Sequence, residues 1–463
     1  MIRTVRNAQY DWMIIGIYLS LIIIGWFSIY AATYTYSENT NFLDLSVPIT
    51  KQSVYIAIAL SVFIITLFID IKFWHTFAYI FYGISIFLLL MVLIVGSEIK
   101  GARAWFVIGG FSFQPSEIAK FCTTLAVSSY LSYYKVNLKT GIYQWIVVGI
   151  IFAPVFFILL QPDAGSAITF LSLFILLFIE GFNPLYYISA ILLFLSFVFS
   201  ILFPLNQVIM AIILAAIGFS WFNFRIFKYH FVLLGILLIS LIYGFYFMKL
   251  DYMIYVALLF LAISLVLLWR NRQEKLSLFL PLAVAVLYGF SYFSINLFNG
   301  LELHQQERIK VWLKPSECDP RGSLYNLLQS KVAIGSGGTL GKGFMNGNMT
   351  KLKFVPEQST DFIFSTIGEE QGFFGSVIVI LLFVILIWRI LNTCEHMTNR
   401  FASYFGLSLA GFLFIHVLVN IGMTMGLVPI IGIPLPFISK GGSSLIGFSL
   451  MLGVFIRMQS RSA

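Results

Sequence analysis

The chain has 463 residues, of which 60% are hydrophobic and only 10% charged, and a formal net charge of +9. Soluble domains carry about 25% charged residues, so this composition excludes a water-soluble globular protein and places the chain in a bilayer. The Lys and Arg are scattered through short loops rather than gathered on one face, which argues for membrane topology and against nucleic-acid binding.

Uncharged runs of about 18–25 residues are long enough for a helix to cross a hydrocarbon core. In chain order they fall at 12–31, 52–69, 73–96, 140–162, 229–248, 252–269, 276–297, 371–388, 402–426 and, a little shorter, 441–456. Residues 116–134 read as a further span despite Glu117 and Lys120, residues 164–179 as a short one, and residues 181–224 as two spans broken near Pro204-Leu205-Asn206. The expected fold is all-α: a polytopic helical membrane protein of about fourteen transmembrane helices with one large loop at 298–372. The opening apolar run is too long for a cleaved signal sequence and is read as an anchor.

With the N-terminus in the cytoplasm, the short inside loops and termini hold 14 Lys and Arg and the short outside loops hold 5. That is a positive-inside bias, and long loops are exempt from the rule. Both termini are therefore expected in the cytoplasm and residues 298–372 outside.

The large loop holds 16 of the 47 charged residues and 10 of the 35 glycines, so chemistry is expected there or beside it. Arg308, Lys310, Lys314, Arg321, Lys331 and Lys342 give a cationic surface suited to phosphate or pyrophosphate next to the membrane. Eight positive and eight negative charges also fit a plain solvated loop. The run GSGGTLGKG at 335–343 fails as a nucleotide loop, because Ser336 stands at the first required glycine and Gly343 follows Lys342. Amides of Gly335, Gly337 and Gly338 leave open an anion-binding nest, although loop glycines are more often turns. Asp319 precedes Pro320, where a carboxylate is usually a turn former.

Within the spans, Glu117 and Lys120 are three residues apart and share a helix face, where each offsets the other's charge. The pair fits helix packing and a cavity-lining role about equally. Asp163, beside Pro162 and Gly165, fits an interfacial turn. Cys122, Cys318 and Cys394 have no zinc or disulfide spacing, and the five histidines are dispersed.

Five motifs in order carry a resemblance: GARAWFVIGGFSFQPSEIAKF, QPDAGSA, WLKPSECDPRGSLYNLLQSKVAIGSGGTLGKG, FVPEQSTDFIFSTIGEEQGFFG and GLVPIIGIPLPFISKGGSS, from about residue 101 to 445. Together they resemble the RodA/FtsW family, the SEDS proteins, with the PLPF stretch at 434–437 closer to the RodA branch. Lys440, Gln371 and Ala164 depart from the residues usual at those positions. The family resembles a core of about ten transmembrane helices. Residues 1–180 then read as its first six helices, 181–275 as inserted helices, 276–297 as a core helix, 298–372 as the extracytoplasmic catalytic loop and 373–463 as the closing helices.

The resemblance implies a multi-pass protein of the bacterial cytoplasmic membrane that polymerises lipid II into glycan strands for cell-wall elongation. It implies that Asp319 is the essential carboxylate, a general base in an inverting transfer, and that Arg103 and Lys120 help to hold the pyrophosphate. Glu117, Arg308, Lys331, Lys342, Ser439 and Ser443 are the further substrate-binding candidates. No cofactor is implied, with a divalent cation left open, and the implied partner is a class B penicillin-binding protein. The alternatives are a lipid II flippase or a non-catalytic scaffold. A secondary transporter is disfavoured by the lack of inverted repeats.

Overall fold

Asp11 starts the first helix, α1 (Trp12–Thr33), by accepting the otherwise unpaired amides of Met13 and Ile14 at 3.1 and 3.4 Å. The computed structural model describes residues 10–34, 47–99, 101–109, 111–222, 250–270 and 273–462. The expected span at 229–248 lies outside these residues. The chain divides into two compact units, Met1–Phe182 with Asp319–Ala463, and Asn183–Cys318.

The first unit continues with α2 (Pro48–Phe68), α3 (Ile71–Val95), α4 (Pro115–Ser132), α5 (Gly141–Leu160), and the short α6 (Ala164–Thr169) and α7 (Ser172–Ile179). Residues 97–113 form an antiparallel sheet, β1 (Ser97–Ile99), β2 (Ala102–Ile108) and β3 (Phe111–Phe113), in that order. The expectation treats them only as an outside loop, but Gly101 and Gly109, at φ 82° and 57°, supply the left-handed turns that fold the stretch back on itself.

After residue 318 the unit resumes with α13 (Ser323–Ser336), α14 (Asn348–Lys351), α15 (Ile363–Glu395), α16 (Arg400–Met425) and α17 (Gly442–Ser462). Gly372, at φ 66° and ψ −158°, breaks α15 between a short outer piece and the long apolar helix.

The second unit comprises α8 (Pro184–Leu202), α9 (Leu205–Phe222), α10 (Leu250–Arg270), α11 (Glu274–Asn299), α12 (Leu303–Leu313) and a 3-10 turn at Pro315–Glu317. Ile213, Ile217, Ala257, Phe260 and Leu280 form its core, and Ser196 and Ser291 hydrogen-bond at 2.7 Å between α8 and α11. The unit thus groups the expected core helix at 276–297 with the helices expected as inserted.

Among the described residues ten helices are long and apolar enough to cross a membrane. The expected count of about fourteen is not reached by that measure. The expected span at 116–134 is the helix α4, 164–179 is split in two, and 205–220 is short. The break expected near Pro204 falls between α8 and α9.

Burial separates lipid-facing from central helices in the first unit. The spanning stretches of α16 and α17 are 72% and 78% buried, whereas those of α1, α2, α3, α5 and α15 are 22–44% buried. Fifteen of the 18 residues of α4 are buried, and among them are Ser116, Thr123, Thr124, Ser128 and Ser129. A helix buried all round is central, and this explains how α4 carries polar groups without meeting lipid.

Residues expected on one side of the membrane also meet one another. Asp11 pairs with Arg389 at 2.7 Å and Tyr404 donates to Glu180 at 2.8 Å, whereas Gln114, Asp163 and Ser443 join at the opposite ends of their helices.

Candidate active site

Pro115 at the first helical position lets α4 begin directly after Gln114. The first turns then carry Glu117 and Lys120, whose Oε1 and Nζ lie 2.8 Å apart with both residues buried (4% and 2% exposed). Lys120 is not alone with Glu117. Its Nζ lies 3.1 Å from Nε2 of His416 on α16 and 5.5 Å from the centre of the Phe448 ring on α17. The ammonium is closed to solvent on every side, so Lys120 acts in this structure as a buried strut between three helices. Gly447 faces Glu117: a Cβ there would come within 3.7 Å of the carboxylate Oε2.

His416 Nδ1 lies 3.1 Å from the Pro434 carbonyl, and Asn420 one turn later donates to the carbonyls of Ile433 and Asp361 at 2.7 and 2.9 Å. Ser439 accepts the Leu435 amide and donates its hydroxyl proton to the Thr360 carbonyl at 2.7 Å, while the Lys440 amide donates to Ser359. Residues 427–441 are thereby stitched to residues 359–361 of the large loop. Ser443 is engaged in the same way, accepting from the Gln114 amide at 3.1 Å and donating to the Ser112 carbonyl at 3.3 Å. The hydroxyl protons of both expected substrate-binding serines are already committed to protein carbonyls.

Asp163 caps α6 by accepting the Ser166 amide, and its Oδ2 accepts from Gln114 Nε2 and the Ser166 hydroxyl at 2.8 and 2.7 Å. It is more than a turn former, since it ties α6 to the start of α4.

The glycine-rich run is a clasp. Lys342 and Gly343 amides donate to the Glu369 and Glu370 carbonyls at 3.1 and 3.0 Å, and Phe373 and Phe374 amides donate back to Gly338 and Thr339. A Cβ on Gly337, Gly341 or Gly372 would run into the facing backbone. These amides serve the fold; of the glycines expected to form a nest, Gly335 lies inside α13 and the Gly337 amide donates to the Ile334 carbonyl at 3.3 Å. Lys342 Nζ meets Glu369 Oε1 at 2.7 Å, and the Glu369 carboxylate also accepts the Met349 and Thr350 amides and the Thr350 hydroxyl.

Asp319 stands in the turn before α13. Its Oδ1 accepts the Arg321 amide at 2.9 Å, its backbone carbonyl accepts the Gly322 amide, and the side chain is exposed. One carboxylate oxygen therefore has a local partner that fixes the group, and the side chain as a whole is exposed. Cys318 before it is a poor nucleophile, because burial raises its thiol pKa and Lys310 offsets this only in part. Arg103 is exposed on β2 opposite Glu98, Lys331 is exposed on α13 with its amine against Gly426, and Arg308 lies on α12 of the second unit.

The structure brings Glu117 and Lys120 together with a residue that the expectations omit, His416. Glu369 and Gln114 are likewise unforeseen. The signal for His416 is the one that singles out Glu117: a polar group inside an apolar span needs an explanation.

The comparisons with known proteins agree with this picture. A family profile described as "Cell cycle protein", covering FtsW, RodA and SpoVE, matches residues 11–213 and 208–463. The chain belongs to the FtsW/RodA/SpoVE family. Among curated relatives of this family member, the peptidoglycan glycosyltransferase RodA of Treponema pallidum is 30% identical over 462 residues, covering 98% of each chain. The peptidoglycan glycosyltransferase MrdB of Escherichia coli K12 is 30% identical over 406 residues, covering 86% of this chain and 83% of its own. The fold matches the crystal structure of RodA from Thermus thermophilus with a TM-score of 0.56 at 22% identity, covering 98% and 97% of the two chains. It also matches a chain from a study of how a peptidoglycan synthase complex coordinates polymerization and crosslinking, with a TM-score of 0.61 at 23% identity and 97% coverage of each. The protein is a multi-pass membrane member of this family.

Proposed function

We propose that this protein is a peptidoglycan glycosyltransferase that polymerises lipid II during cell-wall elongation, with Asp319 as the general base. The observation that carries the reading is the exposed Asp319 carboxylate, fixed through Oδ1, in a chain whose 30%-identical relatives are named for that activity.

The donor carries its disaccharide on an α-linked pyrophosphate, and the polymer is β-1,4-linked. The acceptor 4-hydroxyl therefore displaces the pyrophosphate from the opposite face with inversion. Asp319 accepts the hydroxyl proton as the new glycosidic bond forms, and the carbon–oxygen bond to the pyrophosphate breaks with the electron pair leaving on oxygen. Such a leaving group needs its charge neutralised rather than a proton. Arg103 and Lys331, in the same unit as Asp319, are the candidates for that task. Lys120, Lys342, Ser439 and Ser443 support the site from within, since each is already held by protein groups.

The protein works in the bacterial cytoplasmic membrane with both termini in the cytoplasm, and its partner is a class B penicillin-binding protein that supplies cross-linking. The deciding experiment supplies purified protein with lipid II. Glycan polymer is the expected product. Lipid movement between leaflets without polymer would replace this reading with the flippase.

A further inference from the structure

His416 is a buried polar group of the first unit without a part in the proposed reaction. It is 1% exposed, and its ring stands edge-on to Phe448 at 4.9 Å. Its two nitrogens face groups of opposite character. A carbonyl has no proton to give, so the nitrogen facing Pro434, Nδ1, carries the hydrogen and donates. An ammonium has no lone pair, so Nε2 accepts from Lys120. Only the neutral Nδ1–H tautomer satisfies both partners.

We infer that His416 is a positioning residue for glycosyl transfer: a tautomer-locked link that holds residues 427–441, and through them residues 359–361 of the large loop, against the Glu117–Lys120 pair. The connection is continuous. From Glu117 it runs through Lys120 and His416 to Pro434, then through the Leu435 amide, Ser439 and the Thr360 carbonyl. Asn420 on the same helix braces Ile433 and Asp361 beside it. This role deepens the glycosyltransferase reading and rests on it. It also gives a part to a candidate substrate lysine that is buried among protein groups.

A carboxamide offers an NH2 to donate and a carbonyl oxygen to accept, and so can meet both partners as the neutral imidazole does, whereas leucine fills the space and offers neither. The test compares His416→Gln with His416→Leu in the purified full chain, by hydrogen–deuterium exchange and by lipid II polymerisation. Losing a hydrogen bond to a charged group is worth about tenfold or more, so His416→Leu should speed amide exchange across 427–441 and 359–361 by that factor. The same variant should lower kcat by about tenfold or more while KM changes less. His416→Gln should keep both within about threefold. Exchange in His416→Leu at the wild-type rate, or a Gln variant as impaired as Leu, overturns the link. Should Leu fail to fold, His416→Asn takes its place, since it keeps a donor near Pro434 and gives up the Lys120 contact. A wild-type protein that makes no polymer sinks the glycosyltransferase reading instead, and the exchange data then decide the link by themselves.

Discussion

Glu117 and Lys120 meet at 2.8 Å in a position where neither side chain reaches solvent. Replacing one partner strands the other, and breaking a buried pair costs about 3–5 kcal/mol. Lys120→Met should therefore lower the thermal unfolding midpoint in detergent markedly, and Glu117→Gln with Lys120→Met should recover part of the loss. A double variant that is well folded but no more active than the single one shows that the pair also serves the reaction. A single variant as stable as the wild type contradicts the geometry.

The glycine clasp separates structural glycines from tolerant ones. Gly341 has φ 81° and its Cβ would collide with the Glu370 carbonyl, whereas a Cβ on Gly335, inside α13, meets nothing within 4 Å. Gly341→Ala should cost about 2 kcal/mol or more, through both the left-handed backbone and the collision. Gly335→Ala should be neutral or stabilising by up to about 1 kcal/mol, because alanine is the better helix former. Thermal unfolding of the two variants side by side checks this, and equal effects would refute the clasp.

Topology gives an independent test of the orientation. Reporter fusions at Lys275 should read cytoplasmic and one near Gly347 extracytoplasmic, because the Lys and Arg bias assigns those sides. A cytoplasmic signal at Gly347 overturns the orientation and with it the placement of Asp319 outside.

Much of the architecture is legible from charge alone. Among the described residues the long uncharged runs become helices, and Pro204 breaks a 44-residue run between α8 and α9 because proline cannot continue a hydrogen-bonded helix. The pairing of Glu117 with Lys120 is legible because i,i+3 spacing places both on one face. His416 is not, since its partners come from α4 and from a segment 18 residues later, a relation no local period encodes. The role of GSGGTLGKG is hidden for the same reason: the run is glycine-rich to let residues 368–374 approach, and those residues are distant in the chain. The small sheet at 97–113 escapes because two glycine turns within an apolar stretch resemble a loop between spans.

The most direct test of the account is polymerisation by Asp319→Asn. The change keeps the size of the side chain and its ability to accept the Arg321 amide, and removes only the base. Lipid II polymerisation by the purified protein, supplied with its penicillin-binding partner, should fall by about 10²-fold or more while expression and lipid II binding stay near normal. Glu317 is the control: it is 62% exposed, 3.6 Å from Lys314, and Glu317→Gln should retain most activity. Near-normal polymer from Asp319→Asn would remove Asp319 as the base and contradict the proposed mechanism.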